Sequence, residues 1–223
     1  MVLSIRFLIV TLVMLSAPLS AEPITRLLII GNSITWHKPN DALGWKGNWG
    51  MAASRLENDF AHIATSILER IQEGQRPVLQ VKNLSDFESN IGDFDFGRLK
   101  FVEEFQPDAV ILFLGDNVRR DQYATKLFES EYNKILLALA GDSKRKLYCV
   151  STWWASQKID TVIHAACHSH DGRFVDIKEI SELPHMRAAS TGQYLNSGVA
   201  AHPSDKGMEA IAKRIINSME EGR

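Results

Sequence analysis

The stretch RLLIIGNSITWH, residues 26–37, starts as a short, continuously apolar run and breaks at Gly31, Asn32 and Ser33. A run of that length without polar alternation predicts a strand covered on both faces, as in a parallel sheet. Ligands of open α/β sheets bind beyond the carboxyl ends of such strands. A glycine there permits a tight bend, and Ser33 is then presented to the crevice as an oriented nucleophile. Gly, Asn and Ser are also ordinary turn residues. The motif therefore needs partners elsewhere in the chain.

Working outward, four further segments repeat the apolar character: PVLQVKN (77–83), DAVILFLG (108–115), KLYCVST (146–152) and RFVDI (173–177). Helical patterns lie between them, over residues 50–72, 98–104, 123–140 and 159–166. A last helix follows Pro203, with Ser204 or Asp205 as its N-cap and GMEAIAKRII as its amphipathic body. Strands alternating with helices predict the α/β class. The expected architecture is a three-layer α/β/α sandwich around a five-stranded parallel sheet of flavodoxin-like strand order.

The chain has 223 residues, 45% of them hydrophobic, which suits one domain with a sizeable core. That domain is expected over residues 22–223. Residues 1–21 read as a signal peptide: Arg6 precedes FLIVTLVML, and the small-residue stretch SAPLSAEP follows, with cleavage near Ala21. The expected location is therefore secreted or periplasmic, without integral membrane association after cleavage. Loss of the leader removes one Arg and no acid, leaving a net charge of −3. With no basic stripe or tail, a nucleic-acid partner has no electrostatic footprint in the sequence and none is expected. Cys149 and Cys167 are the two cysteines; a disulfide and a pair of buried thiols both fit an exported chain.

LFLGDN brings Gly115, Asp116 and Asn117 to the same sheet edge as Ser33, and the Asn117 amide suits a developing oxyanion. AAHPSDKGMEAIA puts His202 just before the last helix, where it can serve Ser33 as a general base. Taken together, these segments resemble the SGNH or GDSL hydrolase superfamily, mostly esterases and lipases. GNSIT is similar to its first block, more often written Gly-Asp-Ser; GDN resembles its Gly-x-Asn block; HPSDKGM resembles its final block. The resemblance implies Ser33 as nucleophile, His202 as base, and an oxyanion hole of the Ser33 N–H and the Asn117 amide, with no cofactor and no metal.

Two departures from that pattern stand out. The second block usually supplies a glycine N–H to the oxyanion hole, but NLSDFESN (83–90) has none there. Asp86, Phe87 or Glu88 can offer a backbone N–H instead, so the third donor is expected near Phe87, with the choice among the three left open. The family also commonly has Asp three residues before the histidine, where Val199 stands here. A Ser-His dyad is expected, its ring oriented by a backbone carbonyl of SGVAA. A second Gly-Asp-Ser, at residues 141–143, falls at the opposite sheet edge, with Gly141 read as a helix C-cap.

All five tryptophans, Trp36, Trp45, Trp49, Trp153 and Trp154, fall in loops expected to border the crevice. Flat indole faces suit sugar rings, and Trp36, Trp153 and Trp154 are taken as substrate-binding residues. The competing reading is that the rings pack the long loop as a satellite core. The substrate expected is an acylated carbohydrate, most simply an acetylated polysaccharide, or a small ester. Alternatives are a lipase-type hydrolase, a sugar O-acyltransferase and a carbohydrate-binding protein without catalysis. HAACHSH offers His164, Cys167, His168 and His170, with two histidines at helical i, i+4 spacing, but no fourth zinc ligand is evident. His at a helix end also has a simple dipole rationale.

Overall fold

Arg26–Gly31 forms strand β1, and Leu27 to Ile30 lose all solvent exposure because the strand lies inside the sheet with helices on both faces. The computed structural model describes residues 22–141 and 145–221. The expected leader, residues 1–21, lies outside the described residues, as do residues 142–144 of the second Gly-Asp-Ser. Alternate side chains of β1 enter two separate cores: Leu27 and Ile29 on one face, Leu28 and Ile30 on the other.

The other strands are β2 (Val78–Asn83), β3 (Ala109–Phe113), β4 (Lys146–Val150) and β5 (Arg173–Val175). All pair in parallel, in the order β2-β1-β3-β4-β5, which is the five-stranded flavodoxin-like sheet the sequence predicts. Register decides what meets at the carboxyl edge. Gly31 is level with Asn83 of β2 and with Phe113 of β3. The segments that follow these three strands therefore emerge side by side.

The long helices are α1 (Phe60–Ile71), α4 (Gln122–Ala140), α5 (Gln157–Ser169) and α8 (Asp205–Glu220). The short ones are α2 (Ser85–Ser89), α3 (Lys100–Phe105), α6 (Lys178–Ser181) and α7 (Ser197–Ala200). α1 and α8 cover one face of the sheet; α4 and α5 cover the other. Gly141 closes α4, its N–H donating to the Leu137 carbonyl. Ser204 caps α8, accepting from the Gly207 N–H. None of the helices among the described residues is long and apolar enough to cross a membrane.

One helix is shorter than its sequence pattern suggests. Residues 50–72 read as helical, yet α1 begins only at Phe60. Ala52 takes a left-handed φ of 73°, which an α-helix does not allow. Asp59 then caps the helix by accepting from the His62 N–H at 2.8 Å, a local start signal that overrides the upstream apolar pattern. Cys149 of β4 and Cys167 of α5 form a disulfide, pinning that helix to the sheet.

Candidate active site

Ser33 sits in the turn that ends β1, half-buried, where the Thr35 and Trp36 N–H groups fold back onto the Asn32 carbonyl at 3.0 and 3.1 Å. Gly31 is required for close approach: a Cβ there would run into the Thr35 hydroxyl and lie 2.9 Å from the Phe113 carbonyl oxygen. His202 lies between α7 and α8, only 6% exposed. Its Nε2 is 2.8 Å from Ser33 Oγ, across 169 residues of sequence. Its Nδ1 is 2.7 Å from the Gly198 carbonyl oxygen. A carbonyl can only accept, so Nδ1 carries the proton, and Nε2 is left as the acceptor for the serine hydroxyl.

Burial is the largest influence on His202 and pushes its pKa down to about 4; the bond to Gly198 opposes this, and His37 adds to it. The Trp154 ring is perpendicular to the imidazole, at 86° with centroids 5.1 Å apart. Val199 packs beneath the site. Its side chain is 1% exposed and packs with Trp45, Met51, Ala52 and Ala188.

Beside the serine lies a hydrogen-bonded group of acids and amides that sequence reading did not bring together. The Glu88 carboxylate of α2, 2% exposed, accepts from Gly115 N–H at 2.5 Å, Asn117 Nδ2 at 2.6 Å, Asn117 N–H at 3.3 Å and Asn32 Nδ2 at 3.3 Å. Asn32 Nδ2 also reaches Asp116 Oδ2 at 3.2 Å, and its Oδ1 accepts from Ile34 N–H at 3.1 Å. The Trp154 N–H donates to Asp116 Oδ1 at 3.0 Å. Burial and then the neighbouring Glu88 charge raise Asp116 to about 7; burial likewise pushes Glu88 up. Gly115 adopts φ 140°, and a Cβ would sit 2.9 Å from Ile159, so glycine alone can aim its N–H at Glu88 there. The signal that could have located this group is adjacency: each acid or amide is next to, or among, residues already singled out.

Two expected roles are corrected by these contacts, and one is relocated. The Phe87 N–H donates to the Leu84 carbonyl at 2.9 Å and its ring is fully buried, so it is not a free oxyanion donor. Trp153 is a core residue, 0% exposed, with Nε1 bonded to the Ala201 carbonyl at 3.0 Å, so it offers no face to a substrate. Trp36 is half-buried but lines a separate cleft with Asp59, His62, Leu79 and Val81. Trp45 and Trp49 pack edge to face in a satellite core with Tyr194 beyond, the bland alternative for these rings. Trp154 alone lines the cavity at Ser33 and His202, about 440 Å³, with Leu43, Met51 and Val199 as apolar walls. In the histidine-rich stretch, the Cys167 sulfur belongs to the disulfide, His164 rests on Phe174, and His170 reaches Asn133 at 3.3 Å.

No family model and no curated protein matches the sequence. Solved structures do match. A two-domain esterase, CEX, active on acetylated mannans and co-crystallised with mannopentaose, aligns at a TM-score of 0.53 with 13% identity, over 88% of this chain and 49% of that one. The present chain thus spans about half the length of that enzyme. The psychrotrophic esterase EstA from Pseudoalteromonas, in a structure inhibited by monoethylphosphonate, aligns at 0.52 with 11% identity, over 89% and 98% of the two chains. A protein named as a GDSL-like lipase from Bacteroides uniformis aligns at 0.52 with 12% identity, over 88% and 96%. The chain therefore has the α/β/α fold of the GDSL-like lipases and esterases.

Proposed function

We propose that this protein is a serine esterase in which Ser33 and His202 work as a dyad. The observation that carries the reading is the line from Ser33 Oγ through the imidazole to the Gly198 carbonyl, 2.8 and 2.7 Å, which leaves Nε2 ready to take the hydroxyl proton. Ser33 attacks the ester carbonyl, and the oxyanion is received by the Ser33 N–H and the second amide hydrogen of Asn117. The proton held on Nε2 passes to the departing alcohol. Water then repeats the sequence on the acyl-enzyme, with His202 again as base.

The proposed substrate is an acylated carbohydrate met outside the cytoplasm. Because His202 must protonate the leaving oxygen, the alcohol part of the ester lies in the cavity that the imidazole lines together with Trp154, Leu43 and Met51. An indole beside apolar side chains suits the C–H face of a sugar ring. The activity named for the two-domain esterase, on acetylated mannans, supports the same substrate class. The test joins fluorophosphonate labelling to acetate release from acetylated glycans. Wild type should label at Ser33 and release acetate, and Ser33→Ala should lose both, at least about 10³-fold in turnover, while circular dichroism stays unchanged. Retained turnover in that variant sinks the assignment.

A further inference from the structure

We propose that Glu88 is the positioning residue for Asn117, and that the amide at residue 32 exists to make a buried carboxylate tolerable there. The inference rests on reading Ser33 as the nucleophile and Asn117 as an oxyanion donor. Every polar contact of the Glu88 carboxylate is with a donor: two backbone N–H groups, of Gly115 and Asn117, and two side-chain amides, of Asn32 and Asn117. Three of the donors, the Gly115 and Asn117 N–H groups and Asn32 Nδ2, converge on Oε1, and Asn117 Nδ2 is the donor to Oε2. Of these contacts, the 2.6 Å bond from Asn117 Nδ2 spends one hydrogen of that amide and fixes the direction of the other. Asn117 is itself exposed, in the turn that follows β3, and its side-chain amide is bonded to Glu88. Without Glu88 the amide rotates freely, and a donor that must be ordered during the reaction stabilises an oxyanion less than one already aimed.

Asn32 completes the logic. Its two Nδ2 hydrogens reach Glu88 Oε1 and Asp116 Oδ2, one each, while its Oδ1 serves the Ile34 N–H. An Asp at this position would keep the bond to Ile34, but it would bring a third carboxyl group against Glu88 and Asp116 in place of the two amide hydrogens. This accounts for Gly-Asn-Ser where the resemblance leads one to expect Gly-Asp-Ser. Glu88 thus stands in the block that lacks its glycine, acting through its side chain.

The test uses Glu88→Gln, Asn117→Ala and the double variant. A Gln can keep an oxygen toward Gly115 only by turning its NH₂ toward Asn117 Nδ2, donor against donor. Glu88→Gln should lower kcat about 10²-fold with KM changed less than threefold. In the Asn117→Ala background the same substitution should cost nothing further, since Glu88 acts through the amide already removed. An unchanged kcat, or losses that multiply, overturns the proposal. A second reading needs no turnover. In wild type, the Asn117 side-chain amide should show slow hydrogen exchange by ¹⁵N NMR, and Glu88→Gln should release it; free-amide exchange in wild type also overturns the proposal. If wild type hydrolyses no ester, the esterase reading fails, while the amide signal still judges Glu88.

Discussion

At the scale of single residues, burial of His202 has a measurable consequence in its titration. A general base must be neutral, and a folded pKa of about 4 keeps the ring neutral through mildly acidic pH. The acid limb of kcat/KM should therefore fall near pH 4 to 5, well below the ordinary histidine value. A midpoint near 6.5 would mean that the ring is solvated. Stability follows the same linkage. The unfolded chain takes up the proton first, so this contribution is complete above the unfolded pKa of about 6.5. It is lost at about 1.4 kcal/mol per unit as pH falls toward 4. Asp116 runs the opposite way: raised to about 7, its contribution is present below its unfolded value of 3.8 and lost as pH rises to 7. The two slopes oppose each other across that window. Asp116→Asn should therefore steepen the acid destabilisation seen by urea unfolding, and an unchanged slope would count against one of the two shifts.

At the scale of elements, the end of β4 turns two neighbouring tryptophans to different tasks. Trp153 enters the core shared with α1 and α8, bonded to the Ala201 carbonyl one residue before His202. Trp154 stays half-buried over the imidazole. Trp153→Ala should cost about 3–5 kcal/mol by denaturant unfolding, because it leaves a large cavity in a closed core. Trp154→Ala should cost clearly less than that, because Trp154 is half-buried and only packs against the edge of the core. Its effect should appear instead in kcat/KM, and more on an acetylated glycan than on a small acetyl ester. Equal stability losses in the two variants would show that Trp154 is packing as well. The loop before α8 works at this scale too: α7 turns Val199 into the satellite core and so points the Gly198 carbonyl at His202 Nδ1.

At the scale of the whole molecule, the Cys149–Cys167 bond closes 18 residues of chain and ties α5 to the sheet beside β5. For a loop of that length, chain entropy gives about 3 kcal/mol of stabilisation. Cys149→Ala/Cys167→Ala should lower the unfolding free energy by about that amount and leave turnover nearly intact, since neither cysteine lines the cavity at Ser33. An equal midpoint for oxidised and double-variant protein in guanidinium would show that the unfolded state is not constrained by it.

What the sequence determined by itself is the sheet. Five short strand-like runs, each bounded by turn residues and alternating with helical patterns, point to a parallel sheet, with β1, β3 and β4 as its buried interior. Ser33, Asn117 and His202 follow from their places just beyond strand ends or before a helix. Even the missing acid was legible, because Val199 has no carboxylate to offer and a carbonyl of the same loop is the nearest acceptor. Tertiary structure alone decided the rest. Glu88 meets Gly115 across 27 residues and Asn32 across 56, contacts that depend on register between strands and leave no local pattern. The division of labour between Trp153 and Trp154, and the commitment of the Phe87 N–H to Leu84, depend on which way a side chain turns into a packed core. Periodicity reports that a residue is apolar or polar at a given spacing; only packing sets what it touches.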